Sequence, residues 1–170
     1  MWYMRPVRVG IEVPQPIEVV FDFLDVMANH EPFTNHILTD WQYSGPERGI
    51  GARATVSASA GGRSETVEIE VVAARCPETI VERNVSAGGR RIGTGTYTLK
   101  CLPTAGTSVT FEYAWQQPLL TDRLAAPLIR RILARANQRA MHRLAEQLAT
   151  LAAAPGSTIV ADPRPPVSRT

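Results

Sequence analysis

Residues 107–151 decide the fold, and they read TSVTFEYAWQQPLLTDRLAAPLIRRILARANQRAMHRLAEQLATL. The first part alternates large apolar residues with smaller or polar ones, which is the period of a half-buried β-strand. The alternating residues are Val109, Phe111, Tyr113 and Trp115. After Pro118 the apolar residues recur every three or four positions, as on one face of a helix. The stretch predicts a strand followed by a long amphipathic helix.

The helix is predicted to be regular over residues 128–151, with a kink at Pro127. Its length would be roughly 36 Å at 1.5 Å per residue, enough to lie across a whole sheet. Its apolar face holds Leu133, Ala140 and Leu144, with Asn137 as a polar exception. We expect Asn137 either to satisfy a local backbone defect or to point into a wet pocket, because a buried amide needs partners.

The upstream chain predicts a curved antiparallel sheet. Residues 7–13 alternate as a strand, and Pro16 begins a short amphipathic helix. A second short helix is predicted over Asn29–His36. Six strands joined by short turns with glycine or proline follow between Ile37 and Trp115. The fold class is therefore α+β, with a seven-stranded sheet wrapped around the C-terminal helix in the order β-α-α-β6-α. One helix cannot fill such a concavity, so a ligand cavity is expected.

Three stretches carry a resemblance to a known family. They are V-x-V-x-I-x-V-P-x-P-I-E-V-V-F-D-F-L (Val7–Leu24), GIGAR (Gly49–Arg53) and GTSVTFEY (Gly106–Tyr113). The chain resembles the START-like helix-grip superfamily, also called SRPBCC, and especially its bacterial polyketide cyclase/dehydrase-type members. The resemblance covers about residues 5–151 and implies this fold and a pocket. It leaves the activity open, because members include ligand carriers, lipid-transfer proteins, cyclases, co-chaperones and toxin-type proteins.

The amino-acid composition and the net charge limit the functions that the protein can have. The 170 residues carry 18 basic and 16 acidic side chains, a net charge of +2 that does not favour DNA binding. No transmembrane stretch or secretory signal is visible, so the cytoplasm is the predicted location.

We predict one domain over residues 1–154 and a flexible, proline-rich tail over 155–170. Cys76 and Cys101 form neither a disulfide framework nor a zinc site, and we expect both to be buried or half-buried. No metal or cofactor is predicted.

The predicted ligand-binding residues lie on the concave face of the sheet and on the helix above it. Aliphatic members of the set could simply fill the core. Buried tyrosine and tryptophan side chains, however, carry polar tips that need a partner, which a ligand or water could supply. The predicted set is Trp41, Tyr43, Val56, Ile69, Tyr97, Leu99, Phe111, Tyr113, Trp115, Leu133, Asn137 and Met141.

The candidate catalytic residues are His30, His36 and Tyr97. The two histidines flank Glu31, and a histidine beside a carboxylate can act as a general base. In the superfamily that the chain resembles, this segment lies near the cavity mouth. The simpler interpretation is a solvated loop. The sequence contains no catalytic triad order, no phosphate-binding glycine loop and no metal-ligand spacing.

The outer face of the C-terminal helix carries Arg131, Arg135 and Arg139 at spacings of four. This face could be a solvated surface, a homodimer contact, or a binding site for RNA, an anionic membrane or an acidic partner. Three functions therefore remain open. The first is binding of a lipid-like or polycyclic aromatic molecule in the cavity. The second is a polyketide cyclase or dehydratase, and the third is a toxin-type or interaction module using the arginine face.

Overall fold

Seven strands form one antiparallel sheet in the computed structural model, which describes residues 4–60 and 62–154. The predicted α+β class, the seven strands and the long C-terminal helix are confirmed. The elements in chain order are β1 (Val7–Val13), α1 (Ile17–Asp25), a 3-10 turn (Met27–Asn29), α2 (His30–Thr34), β2 (Leu38–Ser44), β3 (Arg53–Ala60), β4 (Arg63–Arg75), β5 (Thr79–Ser86), β6 (Arg91–Cys101), β7 (Thr107–Gln117), α3 (Leu120–Leu124) and α4 (Ala126–Ala153).

The strand order is β1-β7-β6-β5-β4-β3-β2, so each strand from β2 to β7 pairs with its neighbours in the chain and β1 closes on β7. Register shifts interrupt three of the pairings, at Thr39/Gln42, Val71/Ala73 and Ile92/Gly93. An extra residue on one strand bends it and increases its twist, which curves the sheet. Alternation along each strand then turns every second side chain toward the concave face.

The long helix α4 begins earlier than the sequence predicts. It starts at Ala126, and Pro127 lies in its first turn. The predicted kink at Pro127 is wrong, because proline fits the first turn of a helix, where its missing N–H would have no partner within the helix. The C-terminal half of α4 buries Ala140, Met141 and Leu144 against the concave side.

Three other predictions, for the second helix, the cysteines and the tail, have different outcomes. The second short helix is divided into the 3-10 turn and α2, which ends at Thr34. Cys76 and Cys101 are both exposed, so their predicted burial is wrong; each lies at a hairpin end rather than within the core. The predicted tail, residues 155–170, lies outside the described residues.

No helix in the described part of the chain is long and apolar enough to cross a membrane.

Candidate functional site

The concave face of the sheet carries two separate clusters of buried apolar side chains. The larger cluster lies under the C-terminal half of α4 and includes Leu99, Val109 and Leu144. The smaller cluster lies under the N-terminal half of α4. It consists of Met4, Val7 and Trp115, with Tyr113, Ala126, Ile129, Leu133 and Ala134 packed against it. A sheet and a helix that packed against each other throughout would give one continuous core.

The two clusters part between Phe111 and Tyr113. These residues lie two positions apart on β7, and their half-buried rings belong to different clusters. Asn137 of α4 occupies the corresponding place on the helix, between Leu133 and Met141. It is 8% exposed, and its side chain donates no hydrogen bond to any described residue. Aromatic faces and an unengaged amide therefore meet where the apolar packing stops.

Two glycines of β6 make room for the aromatic rings. Gly93 and Gly95 both occur on the concave face, where Gly95 is paired with Tyr113. A Cβ at Gly93 would overlap the Tyr113 hydroxyl, and a Cβ at Gly95 would lie 3.1 Å from the Phe111 ring. Glycine at these positions lets both rings lie flat over β6.

A buried polar group lies beside these rings. His30 of α2, Glu82 of β5 and Tyr97 of β6 are 4%, 5% and 4% exposed. His30 Nε2 donates a hydrogen bond of 2.6 Å to the carbonyl of Leu24, which can only accept. His30 Nδ1 then faces Glu82 Oε1 at 3.2 Å. The two atoms are not aligned for a hydrogen bond, so Glu82 Oε1 has no hydrogen-bond partner among the described residues.

Burial sets the protonation of this group. Burial raises the pKa of Glu82, and the nearby His30 lowers it only in part. Burial also raises the pKa of Tyr97 well above its usual value, and the charge of Glu82 adds to the shift. The Tyr97 ring lies edge-on to His30, with ring centroids 5.5 Å apart, and 4.7 Å from the ring of Phe111.

A second polar network closes the other end of the concave face. Arg91 of β6 donates two hydrogen bonds of 2.7 Å, one to each carboxylate oxygen of Asp122 in α3. The same guanidinium contacts Glu65 and lies 3.4 Å from Ser86 Oγ. Burial raises the pKa of Asp122, but hydrogen bonds from Arg91 and from the Leu119 N–H outweigh it, so the net shift is downward. The network ties α3 to β4, β5 and β6.

The family model described as polyketide cyclase/dehydrase and lipid transport matches residues 4–151. The chain belongs to this family. The match includes all seven strands and all but the last two residues of α4, which confirms the resemblance to the helix-grip superfamily. Membership in the polyketide cyclase/dehydrase and lipid transport family supports hydrophobic ligand binding or cyclase activity. A search of curated proteins finds no match.

Solved structures share the fold of this family member at low identity. The Zhui aromatase/cyclase from Streptomyces sp. R1128 is 12% identical with a TM-score of 0.69, covering 89% of this chain and 98% of its own. TTHA0849 from Thermus thermophilus is 18% identical with a TM-score of 0.67, covering 86% and 99%. Ara h 8.0201 is 11% identical with a TM-score of 0.60, covering 86% and 98%. At these identities the likeness shows the fold alone.

The predicted ligand-binding residues of this family member fall into three groups by exposure. Seven of them are buried, four are half-buried and one is exposed. The buried residues are Val56, Ile69, Tyr97, Leu99, Trp115, Asn137 and Met141; the half-buried ones are Trp41, Phe111, Tyr113 and Leu133; the exposed one is Tyr43. Their roles in binding stay predictions.

The candidate catalytic histidines do not lie where a solvated loop would place them. His30 points into the core and faces Glu82, whereas Glu31 accepts a 2.6 Å hydrogen bond from the Tyr43 hydroxyl. His36 is held by a 2.9 Å contact of its Nε2 with the carbonyl of Ala136 in α4. Burial lowers the pKa of His36, and the charges of Arg139 and Arg143 lower it further.

Glu82, Arg91 and Asp122 are not among the residues predicted from the sequence. A signal for Glu82 was present, since it shares its strand face with Ile80 and an acidic residue at an inward position is unusual. No comparable signal marks Arg91 and Asp122, which lie 31 residues apart and meet only through tertiary packing.

Proposed function

We propose that the protein binds a hydrophobic small molecule, lipid-like or polycyclic aromatic, between the concave face of the sheet and the N-terminal half of α4. The observation that carries the proposal is the discontinuity in the core between Phe111 and Tyr113. There the half-buried rings and the apolar side of Leu133 offer an apolar ligand surfaces that the protein's own side chains leave partly uncovered. Burial of ligand surface at about 25 cal/mol per Å² would supply most of the affinity.

Polar groups at the same place would orient the ligand. Asn137 is buried and has an amide that can both donate and accept a hydrogen bond, and Tyr113 has a phenol whose pKa burial raises to about 12. A neutral phenol and a neutral amide favour a ligand that carries a hydroxyl or carbonyl group and no charge, because an unpaired buried charge is costly. We propose the cytoplasm as the place of binding, as the sequence predicts.

Binding can be tested with Nile red, a neutral polycyclic dye that fluoresces in apolar surroundings. We expect Leu133→Trp to weaken dye binding by about tenfold, because the larger side chain would occupy space at the discontinuity and about 1.4 kcal/mol corresponds to a factor of ten. The matched control is Leu151→Trp, which changes the same residue type at an exposed position of α4. It should bind the dye as the wild type does.

Thermal unfolding of both variants separates occlusion from misfolding. A Leu133→Trp protein with a native melting temperature and unchanged dye affinity would contradict the proposed site. If Leu133→Trp fails to fold, Asn137→Leu serves as a second variant, because it removes the unengaged amide and adds apolar volume at the same level of α4. It should alter dye affinity while Leu151→Trp does not.

A second candidate function is a polyketide cyclase or dehydratase activity, favoured by the His30–Glu82 contact. In an aldol-type ring closure a base removes a proton from carbon beside a carbonyl, and an acid protonates the oxygen that gains charge. His30 Nδ1 is the position able to take a proton, the neighbouring Glu82 would orient the imidazole, and the Tyr97 hydroxyl would donate to oxygen.

Turnover of a linear β-polyketone separates this function from simple binding. We expect His30→Gln and Glu82→Gln each to reduce turnover by about 10²–10⁴-fold, the usual contribution of a positioned acid or base. Nile red affinity should change little, since neither side chain belongs to the half-buried set that borders the discontinuity. Turnover that survives both substitutions would exclude these residues as the acid and base.

A further inference from the structure

Three leucines stand out on the surface near the start of the long helix. Leu120, Leu124 and Leu128 are 72%, 79% and 61% exposed, which places them among the four most exposed large apolar side chains of the described residues. Exposed single leucines are ordinary, but three at spacings of four form a contiguous patch. The patch crosses from α3 into α4.

The turn between the two helices is short and consists of Ala125. At Ala125 the N–H donates to the Thr121 carbonyl at 3.1 Å, and the Ala125 carbonyl accepts from the Ile129 N–H at 3.0 Å. Helical hydrogen bonds therefore reach Ala125 from both sides, while the backbone of Ala125 itself, with φ −96° and ψ 13°, separates α3 from α4. At 3.6 residues per turn, Leu120 and Leu124 lie about 40° apart around α3, and Leu128, Arg131 and Arg135 fall within roughly 60° of the circumference of α4.

Those arginines continue the leucine patch along the helix. Arg131 and Arg135 are exposed, and neither forms an ion pair with any residue of the ranges that the structure describes. Over residues 126–153 the helix carries five arginines and a single acidic residue, Glu146. Arginines at spacings of four repel one another, so this arrangement does not stabilise the helix itself.

We propose that this face, Leu120, Leu124, Leu128, Arg131 and Arg135, docks on an anionic lipid bilayer. Leucines able to enter the interface, followed on the same face by arginines able to meet lipid phosphates, are the composition of a helix that lies in a membrane surface. A second copy of the chain fits less well. Three leucines fall short of the roughly 800 Å² per partner that a stable interface buries, and like charges would meet across it.

Co-sedimentation with vesicles tests the proposal on the full chain. We expect binding to vesicles of phosphatidylcholine with phosphatidylglycerol, and about tenfold weaker binding to phosphatidylcholine alone, since each arginine near an anionic surface adds affinity. The triple change Leu120→Ser, Leu124→Ser and Leu128→Ser should reduce binding by about tenfold or more. Arg131→Gln with Arg135→Gln should reduce both the affinity for anionic vesicles and its decline with salt.

Matched controls change the same residue types elsewhere on the surface. Ile50→Ser replaces an apolar side chain that is 64% exposed, and Arg83→Gln removes an exposed arginine of β5. Both should bind vesicles as the wild type does. Nile red affinity should be unchanged in every variant, so that failure of docking and failure of the proposed ligand site are distinguishable.

Two results would overturn the docking proposal. One is vesicle binding that is absent in the wild type or equal in the wild type and the leucine variant. The other is a leucine-dependent dimer in sedimentation velocity without vesicle binding, which would assign the face to a second copy. An acidic protein as the partner would give the first of these results.

Discussion

Replacing Arg91 with leucine should lower the free energy of unfolding by about 3 kcal/mol, because the change strands the carboxylate of Asp122 in a buried position. Asp122 is 4% exposed and receives two hydrogen bonds from Arg91. The loss of one partner of a buried ion pair costs more than the pair itself contributes, since the remaining carboxylate keeps only the Leu119 N–H as a donor and has no opposite charge beside it. Urea denaturation at neutral pH measures the difference.

Two further variants identify the cause of the loss. Arg53→Leu removes an arginine that pairs with Glu70 on the exposed side of the sheet, and it should cost less than about 1 kcal/mol. Adding Asp122→Asn to Arg91→Leu should recover part of the stability, because no charge is then left unpaired. Equal losses in Arg91→Leu and Arg53→Leu would show that Asp122 is hydrated and that the network contributes little.

Stability should also depend on pH through Glu82. Burial raises its pKa in the folded protein, so the native state keeps a proton that the unfolded chain releases. The contribution of Glu82 is fully present below its ordinary pKa and is lost as the pH rises through the raised value. Between the ordinary and the raised pKa of Glu82, the free energy of unfolding should fall by up to about 1.4 kcal/mol per pH unit because of this one carboxyl group.

The variant Glu82→Gln removes this pH dependence. We expect its stability to change less than that of the wild type on raising the pH above the ordinary carboxyl pKa, because an amide has no proton to release. Glu68→Gln is the matched control, an exposed glutamate on the opposite face of the sheet. Denaturation curves that keep the wild-type slope in Glu82→Gln would show that His30 balances the carboxylate charge throughout.

The apolar residues of the candidate site can be predicted from the sequence, but the pairing of its polar residues cannot. Phe111, Tyr113 and Leu133 could be assigned to a common apolar space from alternation and helical spacing, because each pattern reports which face of its own element is buried. The sequence also predicts a titratable His30 near the site, but with the adjacent Glu31 as its carboxylate neighbour. In the structure Glu31 accepts a hydrogen bond from the Tyr43 hydroxyl, and His30 faces Glu82 instead.

The class of fold, the order of its elements and the faces they bury can be predicted from the amino-acid sequence, since these follow from periodicities within single segments. Which polar residues meet, as with His30 and Glu82 or Arg91 and Asp122, and where the core divides into two clusters depend on the folded chain as a whole. These depend on strand register and on the position of α4 over the sheet. Such long-range contacts are fixed by the packing of the whole chain, and no local pattern encodes them.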